Sequence, residues 1–133
     1  MSLFIDTSAL YALLDGDEPR HAEVVDSWQT AIGDGRILYT SNYVLVEAFA
    51  LVQRRLGLDA TRGLATVFMP LLQAVWVDQE LHAAATASLF TAAQRHLSLV
   101  DCTSFELMRR LGLTDALALD SDFARQGFNL LPA

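Results

Sequence analysis

The chain has 133 residues, 53% of them hydrophobic and only 19% charged, which predicts one folded domain over residues 1–133 and excludes a disordered segment. Its net charge of −7 argues against a general nucleic-acid coat protein, which would be basic. All nine cationic side chains are arginine, so the missing lysine excludes P-loop NTPase and Schiff-base chemistry and argues against receiver-type or haloacid-dehalogenase-type activity.

Leu3-Phe4-Ile5 reads as a buried strand ending at Asp6, and Ser8–Leu14 as a short helix capped by Thr7 or Ser8. The first six residues lack a basic stretch, and Asp6 interrupts the apolar run, so they do not read as a signal peptide. His21–Ile32 is predicted helical, Ile37–Thr40 a strand, and Asn42–Leu56 a helix capped by Ser41 or Asn42 and closed by Gly57. A helix over Asp59–Leu72 carries Pro70 near its end, and Ala74–Val77 is the third strand. The apolar stretch from Ala65 to Val77 is interrupted by Thr66, Pro70 and Gln73 and is too short to span a bilayer, so no membrane association is expected. Helices follow over Gln79–His96 and Ser98–Leu111, then a strand over Asp115–Leu119, a helical turn over Asp122–Gln126 and an edge strand over Phe128–Leu131. Strands alternating with helices imply a parallel sheet covered on both faces, with ligands beyond the carboxyl ends of the strands.

Four acids stand out against that frame. Asp6 directly follows the first strand, where it either caps the next helix or faces a ligand. Glu47 is the only polar residue between Tyr43 and Val52, on a helix that reads as apolar all round and therefore buried. An ionised carboxylate there needs a metal or an arginine partner, or else sits at the helix's one solvent-facing edge. Asp101 completes a Ser98-Leu99-Val100-Asp101 capping box, a structural role that also holds a carboxylate at a helix start. Asp120 follows the fourth strand, with Asp122 as a weaker candidate for the same duty. Oxygen-only clusters select magnesium or manganese, and two such ions can activate water and neutralise a phosphodiester. His21, His82 and His96 show no metal-ligand spacing and read as surface or partly buried residues. Cys102 is the single cysteine; it reads as a packing residue, permits no internal disulfide, and fits a reducing cytoplasm.

Phe4-Ile5-Asp6-Thr7-Ser8-Ala9-Leu10 resembles the opening of PIN-domain proteins. Val46-Glu47-Ala48 resembles their second acidic motif, Ser98-Leu99-Val100-Asp101 the third, and Leu119-Asp120-Ser121-Asp122-Phe123 with Gly127-Phe128 the close. The order, and the intervals of 41 residues from Asp6 to Glu47 and 54 from Glu47 to Asp101, are similar to the small VapC-type toxins of toxin–antitoxin pairs. The resemblance implies an α/β fold, a three-layer PIN-like sandwich with a central, mostly parallel five-stranded sheet flanked by helices. It also implies a magnesium-dependent endoribonuclease, with manganese as a possible substitute, whose metal-binding catalytic acids are Asp6, Glu47, Asp101 and Asp120. A supporting hydroxyl would come from Thr7, Ser8 or Thr103. The expected partners are RNA, a small cognate antitoxin and a second copy of the chain in a homodimer.

Arg54-Arg55 and Arg109-Arg110 are candidate RNA-phosphate contacts, although both pairs sit where they would also complement a helix dipole. Trp28, Trp76 and Tyr43 offer base-stacking surfaces, but their spacing favours the core. Two rival readings are a TOPRIM-like metal phosphohydrolase using Asp120-Ser121-Asp122 and a catalytically silent binding module.

Overall fold

The computed structural model describes residues 1–133. Five strands, β1 (Ser2–Ile5), β2 (Ile37–Ser41), β3 (Gln73–Val75), β4 (Asp115–Leu117) and β5 (Asn129–Leu131), form one sheet in the order β3-β2-β1-β4-β5. Every neighbouring pair is parallel. The helices are α1 (Thr7–Leu14), α2 (His21–Gly33), α3 (Asn42–Leu56), α4 (Leu58–Gly63), α5 (Gln79–Ala92), α6 (Leu99–Leu111) and α7 (Asp122–Arg125). None is long and apolar enough to cross a membrane.

Leu3, Phe4 and Ile5 are fully buried, as befits a central strand covered on both faces. From β1 the chain winds outward through β2 to β3, then returns to the other side of β1 for β4 and β5. The order therefore reverses between β1 and β4, and the crevice beyond their carboxyl ends is the place where such sheets bind ligands. Ile5 is in register with Leu117, and the Asp6 N–H donates to the Leu117 carbonyl at 3.0 Å, so the pairing runs to the lip of that crevice. Phe4, Phe105, Phe123 and Phe128 pack together, with Phe105 edge-on to Phe123 at 4.9 Å between centroids. This cluster fixes α6 and α7 against the sheet and so positions the acids they carry.

Three element ends and the burial of one helix depart most from expectation. The helix expected over 59–72 is α-helical only to Gly63; it widens to a π turn over Leu64–Phe68 and tightens to a 3-10 turn over Met69–Leu71. Pro70 has no N–H for the ladder, and the turns around it adjust. The helix expected to reach His96 stops at Ala92, because Ala93 takes a left-handed conformation (φ 52°). The strand expected over 115–119 ends at Leu117, since the Leu119 N–H donates to the Ser8 hydroxyl instead of a neighbouring strand. Nor is α3 apolar-buried all round: Val46 is 70% exposed and Ala50 is exposed. Only the side of α3 carrying Val44, Leu45, Ala48 and Val52 enters the core.

Candidate active site

Asp6 leaves β1 and caps α1. Its Oδ2 accepts from the Ser8 N–H at 3.2 Å and the Ser8 hydroxyl at 2.6 Å. The residue is only 4% exposed and no cation pairs with it. Burial pushes its carboxyl up to about 6 against the pull of the Ser8 hydrogen bonds, and the charge of Asp101 adds to the rise. The other oxygen, Oδ1, takes no protein hydrogen bond yet is not sealed from solvent. Ser8 does more than satisfy Asp6: its hydroxyl also accepts from the Leu119 N–H at 3.0 Å, tying the start of α1 to the loop that carries Asp120.

Asp101 lies in the first turn of α6, inside the capping box expected from sequence. Its N–H donates to the Ser98 hydroxyl and its Oδ2 accepts from the Ser98 N–H, both at 3.0 Å. Burial raises this carboxyl, the Ser98 hydrogen bonds oppose the rise, and the charges of Glu47 and Asp122 reinforce it. Asp120 stands three residues beyond β4, half-buried, with Oδ1 accepting from the Asp122 N–H at 2.9 Å. Burial raises it as well, against that hydrogen bond and with help from the charges of Asp122 and Asp101. Glu47 is half-buried rather than sealed, and its carboxylate has no arginine partner.

Asp6, Glu47, Asp101 and Asp120 thus form one electrostatic neighbourhood centred on Asp101, and none of them is in an ion pair. They are near enough to repel, but no three of them close into a ready-made ligand cage. Asp122 differs. It is buried, and its Oδ1 accepts from Arg125 Nη1 at 2.7 Å and lies 3.3 Å from His96 Nε2. Burial raises this carboxyl, but the Arg125 and His96 hydrogen bonds outweigh it and hold Asp122 below the usual carboxylate range.

Among the candidate hydroxyls, Ser8 is fully engaged and Thr103 donates back to the Leu99 carbonyl at 2.7 Å. Thr7 Oγ1 alone is buried with no partner, beside Asp6 in sequence. Arg54 and Arg55 follow Glu47 along α3, and Arg109 and Arg110 follow Asp101 along α6, by seven or more residues, about 10 Å or more of helical rise. Arg55 sits over the Tyr11 ring; Arg109 is held by Glu106, Gln126 and the Phe128 ring; Arg110 faces Glu80 at 3.9 Å. Trp28 is core, edge-on to Phe68, whereas Trp76 is 74% exposed, contrary to its strand-like spacing. It stands just past the end of the short edge strand β3, beside a 400 Å³ apolar groove that it lines with Val46, Phe49 and Met69. Tyr43 is half-buried, and its hydroxyl pairs with Nδ1 of His82. Cys102 is buried, as expected. Sequence reasoning passed over His96 and Arg125 as site residues; the i, i+3 spacing of Asp122 and Arg125 was a readable signal for one of them.

The profile of the PIN-domain family matches residues 3–129. The chain belongs to the PIN-domain family. This PIN domain is 34% identical over 127 residues to a Mycobacterium tuberculosis protein named 23S rRNA-specific endonuclease VapC20, covering 95% of each chain. The crystal structure of M. tuberculosis VapC20, described as a sarcin–ricin loop cleaving toxin, superposes with a TM-score of 0.85 at 33% identity, covering 96% of each chain. The FitAcB crystal structure from Neisseria gonorrhoeae shares the fold at 15% identity, with a TM-score of 0.70 over 96% of this chain and 95% of that one.

Proposed function

We propose that this PIN domain, acting as one unit over residues 1–133, is a VapC-type endoribonuclease toxin that hydrolyses a structured rRNA loop of the sarcin–ricin class. One observation carries the reading. Asp6 is a buried carboxylate at the strand-order reversal, with a raised pKa and no cation, set among three further unpaired acids. Without a positive ligand this arrangement only costs stability.

PIN-domain nucleases generally use divalent metals, and the donor set here fits magnesium, with manganese as a substitute. Asp6, Asp101 and Asp120 each turn one oxygen to a neighbouring protein donor, and Asp120 also lies against the Asp122 carboxyl. Their open spacing suits an ion that retains several waters. Bound there, divalent ions would activate the attacking water and neutralise the scissile phosphate and leaving oxygen. Glu47 supplies a further carboxylate from the α3 side. Asp120 is the fourth acid rather than Asp122, whose Oδ1 is already shared between two side chains. The same pairing weakens the TOPRIM alternative, which needs both aspartates of Asp120-Ser121-Asp122 for metal. Of the three candidate hydroxyls, Thr7 Oγ1 alone lacks a protein partner, but it is sealed from solvent beside Asp6. Arg54, Arg55, Arg109 and Arg110 would meet RNA away from the scissile phosphate. A small antitoxin and a second copy of the chain complete the assembly, in the cytoplasm.

Antitoxin-free protein is expected to cut a synthetic sarcin–ricin loop RNA with magnesium or manganese and to stop with chelator. Asp6→Ala and Asp101→Asn should each lower the rate at least about a hundredfold, the scale seen when a group stabilising the transition state is lost. Cleavage that survives chelation, or both substitutions, sinks the reading.

A further inference from the structure

We propose that Asp122 is an anchor and not a metal ligand: it sets His96 and Arg125 at the rim of the acid cluster, where they bind an RNA backbone phosphate flanking the cleavage site. The inference rests on the endoribonuclease reading above and names residues that hold its substrate.

A chain with a net charge of −7 and four unpaired acids must still bring a polyanion to those acids. Most of its arginines are committed elsewhere. Arg36 pairs with Asp115 at 2.6 Å, at the amino end of β4 and the opposite edge of the sheet. Arg20 pairs with Glu23 and Arg62 with Asp59, on the outer surfaces of α2 and α4. Arg125 alone among the arginines is paired with Asp122, the carboxylate that adjoins the acid neighbourhood. The junction is close: the Asp122 N–H donates to Asp120, and Asp122 is near enough to raise both Asp101 and Asp120.

The geometry presents the donors outward. The Asp122 side chain is 9% exposed, but those of His96 and Arg125 are 56% and 68% exposed. An i, i+3 pair by itself would be an ordinary helix brace, and α7 is short. His96 is different. It comes from the segment between α5 and α6, 26 residues away, and converges on the same Oδ1 atom. One buried carboxylate oxygen therefore holds two exposed side chains from separate elements side by side: Arg125 keeps guanidinium N–H groups free for a phosphate oxygen, and His96, whose Nε2 faces Asp122, donates Nδ1–H to a second oxygen in its imidazolium form. The segment carrying His96 leads directly into Ser98 and the Asp101 capping box, so the anchor also fixes the approach to the central acid.

The test uses full-length protein and a fluorescently labelled sarcin–ricin loop RNA, with cleavage followed in magnesium and binding followed in metal-free buffer. Arg125→Ala and His96→Ala should each raise Kd and KM about five- to tenfold and flatten the salt dependence of log K by roughly one unit for each phosphate no longer held. Arg125→Lys should recover part of the affinity. Asp122→Asn should follow the Arg125 variant in KM. Arg62→Ala on α4 is the control. If the wild type cleaves RNA while both alanine variants keep its Kd and salt slope, the proposal is overturned and the reading stands; a lowered Tm in those variants would then make the cluster a brace only. A kcat collapse in Asp122→Asn with KM unchanged makes Asp122 a ligand and also overturns it. Wild-type protein that neither binds nor cuts RNA overturns both.

Discussion

Asp6 is held inside the protein without a positive partner, and its proton affinity records the cost. Its folded-state value of about 6 stands against 3.8 for a free side chain. The unfolded chain therefore releases the proton first as pH rises, and the folded chain keeps it up to about 6. The contribution of Asp6 to the stability of the metal-free protein is fully present below pH 4, is lost between about 4 and 6, and is flat above. The shift corresponds to about 2–3 kcal/mol at neutral pH as an upper figure. Asp6→Asn keeps an acceptor for the Ser8 N–H and removes the charge. In chelator at pH 7.5 it should melt several degrees above the wild type, and its own melting point should fall less between pH 4 and 6, the remaining fall coming from Asp101 and Asp120. The same variant should not cleave RNA. An asparagine variant no more stable than wild type at pH 7.5 would mean that the carboxylate is already compensated inside the metal-free protein.

At the scale of elements, each acid is set by the local structure that ends or begins beside it. Asp6 caps α1 while terminating β1, and Asp101 belongs to the box that starts α6. Ser98→Ala removes the acceptor of the Asp101 N–H and should destabilise the protein by about 1 kcal/mol. It should also slow RNA cleavage, because Asp101 then loses half of the box that orients it; Ser98→Thr should restore both. An unchanged melting curve in Ser98→Ala would remove the box from the account of how Asp101 is held. These features were legible in the sequence because they are local: a strand ending in Asp, and Ser with an acid three residues on. What is non-local was not. Ala93 takes a left-handed conformation that carries no glycine or asparagine signal, so the early end of α5 was invisible. The helix of Glu47 reads as buried, with a solvent-facing edge only as the alternative, because composition cannot distinguish a helix buried all round from one that lines an exposed apolar groove. The same groove leaves Trp76 exposed. The His96–Asp122 contact joins residues with no periodic relation, so only the fold brings it to the site.

For the whole molecule, the proposed metal site would couple folding to metal through the acid neighbourhood. Asp101 lies at its centre, felt by Asp6 and Asp120 and itself raised by Glu47 and Asp122. The folded state gathers these charges and the unfolded chain disperses them, so a divalent ion that binds only the folded state stabilises it by mass action. At a hundredfold excess over its dissociation constant the gain is about 2.7 kcal/mol. Magnesium titrated at pH 7.5 should therefore raise the melting temperature with a concentration-dependent, chelator-reversible shift. Potassium chloride at matched ionic strength screens the exposed acids but should give a much smaller change. Asp101→Asn separates the two effects: with the central charge gone, the metal-free protein should melt higher, and the magnesium-induced shift should shrink. If that variant melts higher yet keeps the full magnesium shift, the ion binds elsewhere and the electrostatic centre of the site is not its metal centre. If neither quantity moves, Asp101 is solvated well enough to act only as a helix cap.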